Sequence, residues 1–207
     1  QSEFPGIELH LIEGNSSELA NDLLHGTIDL MIDLLPFTAE NVDTVPICQE
    51  EILLVVPDEV LKKAHPDGWD ELRKKMEQGA DVRLLENCPF VLLNKGNRVR
   101  TIADEIFEDA QVTPHIALET ENIETALALS VKGMGITFYP RMFMSPDHAA
   151  NTNKNPLTHQ TGLNLYPLNY SRAHGTLGLG YHKGHYMSRA THEFIRIALE
   201  RIPYKND

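Results

Sequence analysis

The spacing of apolar residues in this chain switches from a period of two to a period of about 3.6 and back again, repeatedly, and no other feature constrains the fold so strongly. Ile7, Leu9 and Leu11 alternate with Glu8, His10 and Ile12, which predicts a strand. Asn15 and Glu18 then have capping-box spacing, and Leu19, Ala20, Leu23 and Leu24 form one helical face that Gly26 would end in a left-handed turn. Ile28, Leu30 and Ile32 alternate with Asp29, Met31 and Asp33, so a second strand follows. Strand, helix, strand in close succession builds an α/β layer with a right-handed crossover.

The same succession recurs further along. Ile52 to Val56 is a continuous apolar strand closed by Pro57, followed by polar helices over Asp58 to His65 and Trp69 to Met76. Phe90 to Leu93 is a short strand that runs into the turn Asn94-Lys95-Gly96-Asn97. The next helix carries Val99, Ile102, Ala103, Ile106, Phe107 and Ala110 on one face. His115 to Leu118 reads as a strand, Asn122 caps a helix from Ile123 to Lys132, and Gly135 to Tyr139 is a strand stopped by Pro140. Ser145 to Gly162 has no period and reads as a connector. Leu163 to Leu168 and Thr176 to Tyr181 are the last strands, and Ser188 caps a final helix with Ala190, Phe194, Ile197, Ala198 and Ile202 on one face. The pattern predicts an α/β fold with a mostly parallel sheet.

Composition narrows the function. The 207 residues carry 18 Lys plus Arg against 30 Asp plus Glu, a formal net charge of −12, which argues against a nucleic-acid grip built on clustered basic residues. The longest apolar run, Ile52 to Pro57, falls well short of the roughly 18 residues a membrane helix needs. Two cysteines, Cys48 and Cys88, are too few to staple a fold and suit a reducing compartment.

Residues with chemistry of their own give no catalytic constellation. Among ten histidines the closest pair, His182 and His185, brackets Lys183-Gly184 without a further ligand at metal spacing, and a solvated turn explains it better. Gly175-Thr176-Leu177-Gly178-Leu179-Gly180 has the wrong order for a phosphate loop, so close packing of a strand on its neighbour is the expected reason for its glycines. No nucleophile–base motif occurs, and no enzyme activity, metal or cofactor is expected. What does recur is a helix start with short polar residues directly after a strand: Asn15-Ser16-Ser17, Asn94-Lys95-Gly96-Asn97, and Asn122. Helix N-termini hold unpaired N–H groups and partial positive charge and so accept anions, although each of these residues also serves as an ordinary cap. Lys95, Arg98 and Arg100 would add positive charge there, although Arg98 and Arg100 equally suit solvated helix positions.

The succession Phe4-Pro5-Gly6-Ile7-Glu8-Leu9, Glu13-Gly14-Asn15-Ser16-Ser17-Glu18-Leu19 and Leu23-Leu24-His25-Gly26-Thr27-Ile28-Asp29-Leu30 resembles the effector-binding domain of LysR-type transcriptional regulators. The resemblance continues through Asn122 to Leu129, Lys132 to Pro140, Leu177 to Gly184 and Ser188 to Ile195, in the family's order. It implies two Rossmann-like lobes of the type 2 periplasmic-binding-protein kind, N-terminally truncated, with a small-molecule effector in the cleft between them. Lobe I would comprise residues 1–86 and 169–207, and lobe II residues 87–168. Effector contacts would come from Asn15, Ser16, Ser17, Asn94, Lys95, Gly96, Asn97 and Asn122, and their polar character favours a carboxylate or other anion. The resemblance further implies a cytoplasmic homodimer or homotetramer that meets DNA only through a winged helix-turn-helix lying outside this stretch. The other readings of the same fold are a transporter's solute-binding protein and an enzyme.

Overall fold

The structure, a computed structural model, describes residues 4–37, 39–144 and 162–202. In chain order its elements are α1 (Ser16–His25), β1 (Met31–Leu34), β2 (Val42–Pro57), α2 (Asp58–Ala64), α3 (Trp69–Met76), β3 (Pro89–Leu93), α4 (Arg98–Ala110), β4 (His115–Thr120), α5 (Ile123–Val131), β5 (Thr137–Pro140), β6 (Leu163–Pro167), β7 (His174–His182) and α6 (Arg189–Arg201). Short 3-10 turns occupy Val82–Leu85, Arg141–Met144 and Ser171–Ala173. The connector expected at Ser145 to Gly162 lies, but for Gly162, outside the described residues.

Two compact units emerge, Gln1–Gln49 with Thr176–Asp207 and Glu50–Gly175. The division differs from the boundaries expected near residues 86 and 169. The reason is β2, sixteen residues long: its second half pairs with β5 and β6, which draws the segment after Glu50 into the second unit.

In the first unit β1 and β7 are antiparallel, Met31 facing Gly180 and Leu34 facing Leu177, and β7 lies between β1 and β2. Ala20, Leu23 and Met31 form the buried centre, with Leu19, Ile28, Phe37 and Val42 packed around it. The glycines of β7 answer to packing. A Cβ on Gly180 would stand 2.3 Å from Cε2 of Phe37, and one on Gly178 would stand 2.8 Å from Cδ2 of Leu35. Close approach of side chains to bare backbone is therefore what the glycine-rich stretch provides.

The strand predicted at Ile7 to Ile12 does not form. Leu9 is 56% exposed and Leu11 88% exposed, and no strand among the described residues pairs with this segment. Alternation specifies which faces a strand would have, but without a neighbour its N–H and C=O groups gain nothing over water. The final helix also departs from its predicted face. Only Thr191 of α6 is buried, while Phe194 and Ile202 are 37% and 42% exposed.

In the second unit Ile52 to Val56 are at most 2% exposed, as a continuous apolar run requires. They run antiparallel to both β5 and β6. Among the described residues β3 and β4 make a parallel ladder, with a further parallel bridge between Phe90 and Ile136, so the mostly parallel sheet expected from sequence is corrected to a mixed one. The expectation failed because periodicity marks a strand without marking its direction. The predicted face of α4 holds, with Val99, Ile102, Ala103, Ile106 and Phe107 all buried. Phe90, Phe107 and Phe138 meet beneath it, with ring centroids 5.0 and 5.6 Å apart at the two edge-to-face contacts. Each fully buried side chain of this kind contributes about 1.5–3 kcal/mol, and edge-to-face pairs add about 1 kcal/mol.

Candidate functional site

The helix starts are built as their sequences predict. Asn15 stands in extended backbone and its side chain accepts from the N–H of Glu18 at 2.9 Å. Asn97 accepts from Val99 N–H at 2.9 Å, and Asn122 from Thr125 N–H at 3.0 Å. The capping role is thus realised at all three. Each carboxamide oxygen satisfies one amide, which leaves other first-turn N–H groups without a helical acceptor.

Two of the three starts are neighbours because β3 and β4 are parallel. Leu93 faces Thr120 at the ends of the two strands, so the turns that follow emerge from the same edge. Thr120 stitches them together. Its carbonyl accepts from Asn94 N–H at 2.8 Å, and its Oγ1 accepts from Asn122 N–H at 3.4 Å. Sequence reading passed over Thr120, whose only signal is a hydroxyl residue at a strand end two positions before a cap. Asn94 to Asn97 and Asn122 therefore share one edge of the second unit, whereas Asn15, Ser16 and Ser17 open α1 in the first unit.

The cations near this edge differ in character. Arg100 is 4% exposed and does not add free charge. It donates to the Leu93 carbonyl at 2.7 Å, pairs with Asp104 at 2.8 Å, and bonds Glu119. It ties α4, the end of β3 and β4 into one block, a correction to its expected part as an extra positive charge. The cause is that a carboxylate nineteen residues downstream is invisible to local pattern. Lys95 is exposed, and Arg98 is half-buried with Nε out of solvent. Tyr139, buried on β5, donates its hydroxyl to Glu124 in the first turn of α5, which fixes that helix start from behind. Burial and the Glu124 carboxylate raise the Tyr139 hydroxyl's pKa, so it remains a donor.

His182 and His185 stack face to face, with ring centroids 3.7 Å apart and planes 16° apart. Rings so arranged cannot aim their in-plane nitrogens at one ion, and among the described residues no group of three metal-binding side chains occurs. The two rings line a cavity of about 130 Å³ with Gly26, Asp29, Tyr181 and Tyr186, at the far end of α1 from Asn15. Cys88 is fully buried and its thiol is pushed up to about 11 by burial, so it holds its proton at neutral pH. No helix among the described residues is long and apolar enough to cross a membrane.

Two units with capped helix starts, two of them directly after the parallel strands β3 and β4, have the form of a ligand-binding domain. The chain matches the LysR substrate binding domain over residues 1–203 and belongs to that family, whose fold is that of type 2 periplasmic-binding proteins. It is 27% identical over 147 residues to the uncharacterized HTH-type transcriptional regulator YcgK of Bacillus subtilis, a match spanning 68% of this chain and 45% of that protein. The chain thus spans less than half the length of this curated relative. Its fold is similar to the Synechocystis CcmR regulatory domain in complex with 2-PG, at a TM-score of 0.73 and 16% identity, over 98% of this chain and 86% of that one. It is also similar to the effector binding domain of QuiR in complex with shikimate, at a TM-score of 0.68 and 19% identity, over 91% of this chain and 78% of that one.

Proposed function

We propose that this domain is the sensor of a LysR-type transcriptional regulator and that it binds a small anionic effector at the helix starts Asn15–Ser17, Asn94–Asn97 and Asn122. The observation that carries the reading is the shared edge of β3 and β4, where Thr120 binds the Asn94 and Asn122 turns side by side. Their remaining first-turn N–H groups suit a carboxylate or phosphate. Structural neighbours solved with shikimate and with 2-PG support a small polar ligand. Effector binding then acts by favouring one arrangement of the full-length protein over another, since a ligand shifts an equilibrium only by its differential affinity. In this reading the full-length protein is cytoplasmic, assembles as a homodimer or homotetramer, and meets DNA through a separate winged helix-turn-helix. The domain itself performs no catalysis.

A thermal-shift panel of small carboxylates and phosphates tests the site. A true effector at a hundredfold excess over its Kd stabilises the fold by about 2.7 kcal/mol. Ser16→Ala and Asn122→Ala should each weaken that shift. A panel in which only neutral or cationic compounds raise Tm contradicts the anionic reading. Affinity unchanged in both variants moves the site elsewhere.

A further inference from the structure

The cavity at the C-terminal end of α1 is lined entirely by residues of the first unit and shares none with the helix starts described above. Its volume of about 130 Å³ is well below the roughly 300 Å³ of pockets that enclose drug-sized ligands, so its occupant is small. The carboxylate of Asp29 lines it, and among the described residues no lysine or arginine does. Asp29 pairs with no cation and its side chain accepts no hydrogen bond among the described residues.

The surroundings carry the same sign. Gly26, the left-handed cap of the ten-residue helix α1, borders the cavity, and the C-terminal end of a helix carries partial negative charge that favours cations. The start of α6 also borders it, through Thr191, but there the amide is already taken, because Ser188 Oγ accepts from Thr191 N–H at 3.1 Å. Tyr181 and Tyr186 add aromatic rings to the lining. An ammonium group pairs with a carboxylate and is attracted to the face of such a ring, whereas an acid finds no counter-charge here.

We propose that this cavity is a second ligand site, separate from the helix starts, and that it takes a small primary ammonium. Asp29 supplies the counter-charge and accepts the N–H groups, and the tyrosine rings cover the cation and its short alkyl part.

Titrations of n-butylamine, n-butanol, butyrate and zinc chloride into isotope-labelled protein at about pH 7.5 test this. The amine should move the amides of Gly26, Asp29 and Tyr181 to Tyr186 saturably, and butanol and butyrate, of the same length, should leave them in place. Asp29→Asn should weaken the amine tenfold or more. Tyr186 is 92% exposed, so Tyr186→Ala should leave Tm unchanged while weakening the amine about two- to fivefold. If Asp29→Asn does not fold, Tyr186→Ala decides alone, and full affinity in that variant overturns the proposal. Butanol acting as strongly as the amine makes the cavity an apolar crevice and overturns it, as does a preference for butyrate. Zinc moving these amides at concentrations where the amine does not makes His182 and His185 a metal site instead. Amine shifts scattered over surface carboxylates, and equal in Asp29→Asn, are ion pairing only and overturn the proposal as well.

Discussion

Arg100 donates through Nη1 to the backbone carbonyl of Leu93 at 2.7 Å, so a buried guanidinium on α4 secures the last residue of β3 immediately before the Asn94 turn. Glu119 and Asp104, each about half exposed, balance its charge. Replacing Arg100 by Met removes three hydrogen-bonded partners at once and leaves the Leu93 carbonyl without this donor. We expect a loss of about 2–4 kcal/mol in urea unfolding, with Lys recovering little because it lacks the planar fork. A loss below about 0.5 kcal/mol would show that the block does not depend on this residue.

Asp81 gives the fold an acid-sensitive joint. Its carboxylate bonds Arg83, and it accepts from the Tyr170 hydroxyl at 2.7 Å. The Arg83 guanidinium holds its pKa down to about 2, from 3.8. A depressed folded pKa means stability that is present above the unfolded value and is lost as pH falls toward the folded one. Wild type should therefore exceed Asp81→Asn by about 1–2 kcal/mol at pH 6, allowing for the exposure of Arg83, and the gap should close between about pH 4 and pH 2. A gap independent of pH would contradict this assignment.

Glu50 has the opposite sign. It is 5% exposed, one oxygen accepts from Met142 and Glu51 N–H groups, and the other has no partner among the described residues. Burial raises its pKa, so the ionised carboxylate is held at a cost that protonation relieves. Glu50→Gln should raise Tm at pH 8, and its advantage should shrink as pH falls toward the ordinary carboxylate range. A variant that is less stable than wild type at pH 8 would show that the charge is needed by a group facing it.

These two carboxyls illustrate what the sequence could and could not reveal. Helix starts are local: Asn15, Asn97 and Asn122 each cap an amide two or three residues away, and their spacing was readable at sight. The buried face of α4 was readable for the same reason. Partnerships across the fold were not. Tyr170 reaches Asp81 across 89 positions, and Met142 reaches Glu50 across 92. Local pattern gives Arg100 no partner because Glu119 lies on β4, nineteen positions away. The opposite error befell Ile7 to Ile12, where a clear local alternation had no neighbouring strand to realise it.

Thiol chemistry should be split between the two cysteines. Cys88 is buried with its pKa up at about 11, whereas Cys48 is half-buried on β2. Ellman's reagent at pH 7.5 should leave Cys88 unmodified until urea unfolds the chain, as should hydrogen peroxide. Rapid modification of Cys88 in the folded protein would mean that its surroundings open readily.

Binding of a small acid at the helix starts would be seen in amide chemical shifts. Titrating a stabilising acid into isotope-labelled protein should move the amides of Ser16 and Ser17, of Arg98 and Val99, and of Ile123 and Glu124, because these belong to the first turns of α1, α4 and α5. Perturbations confined instead to the cavity at Gly26, Asp29 and Tyr181 to Tyr186 would place the ligand at the opposite end of α1 and contradict the account.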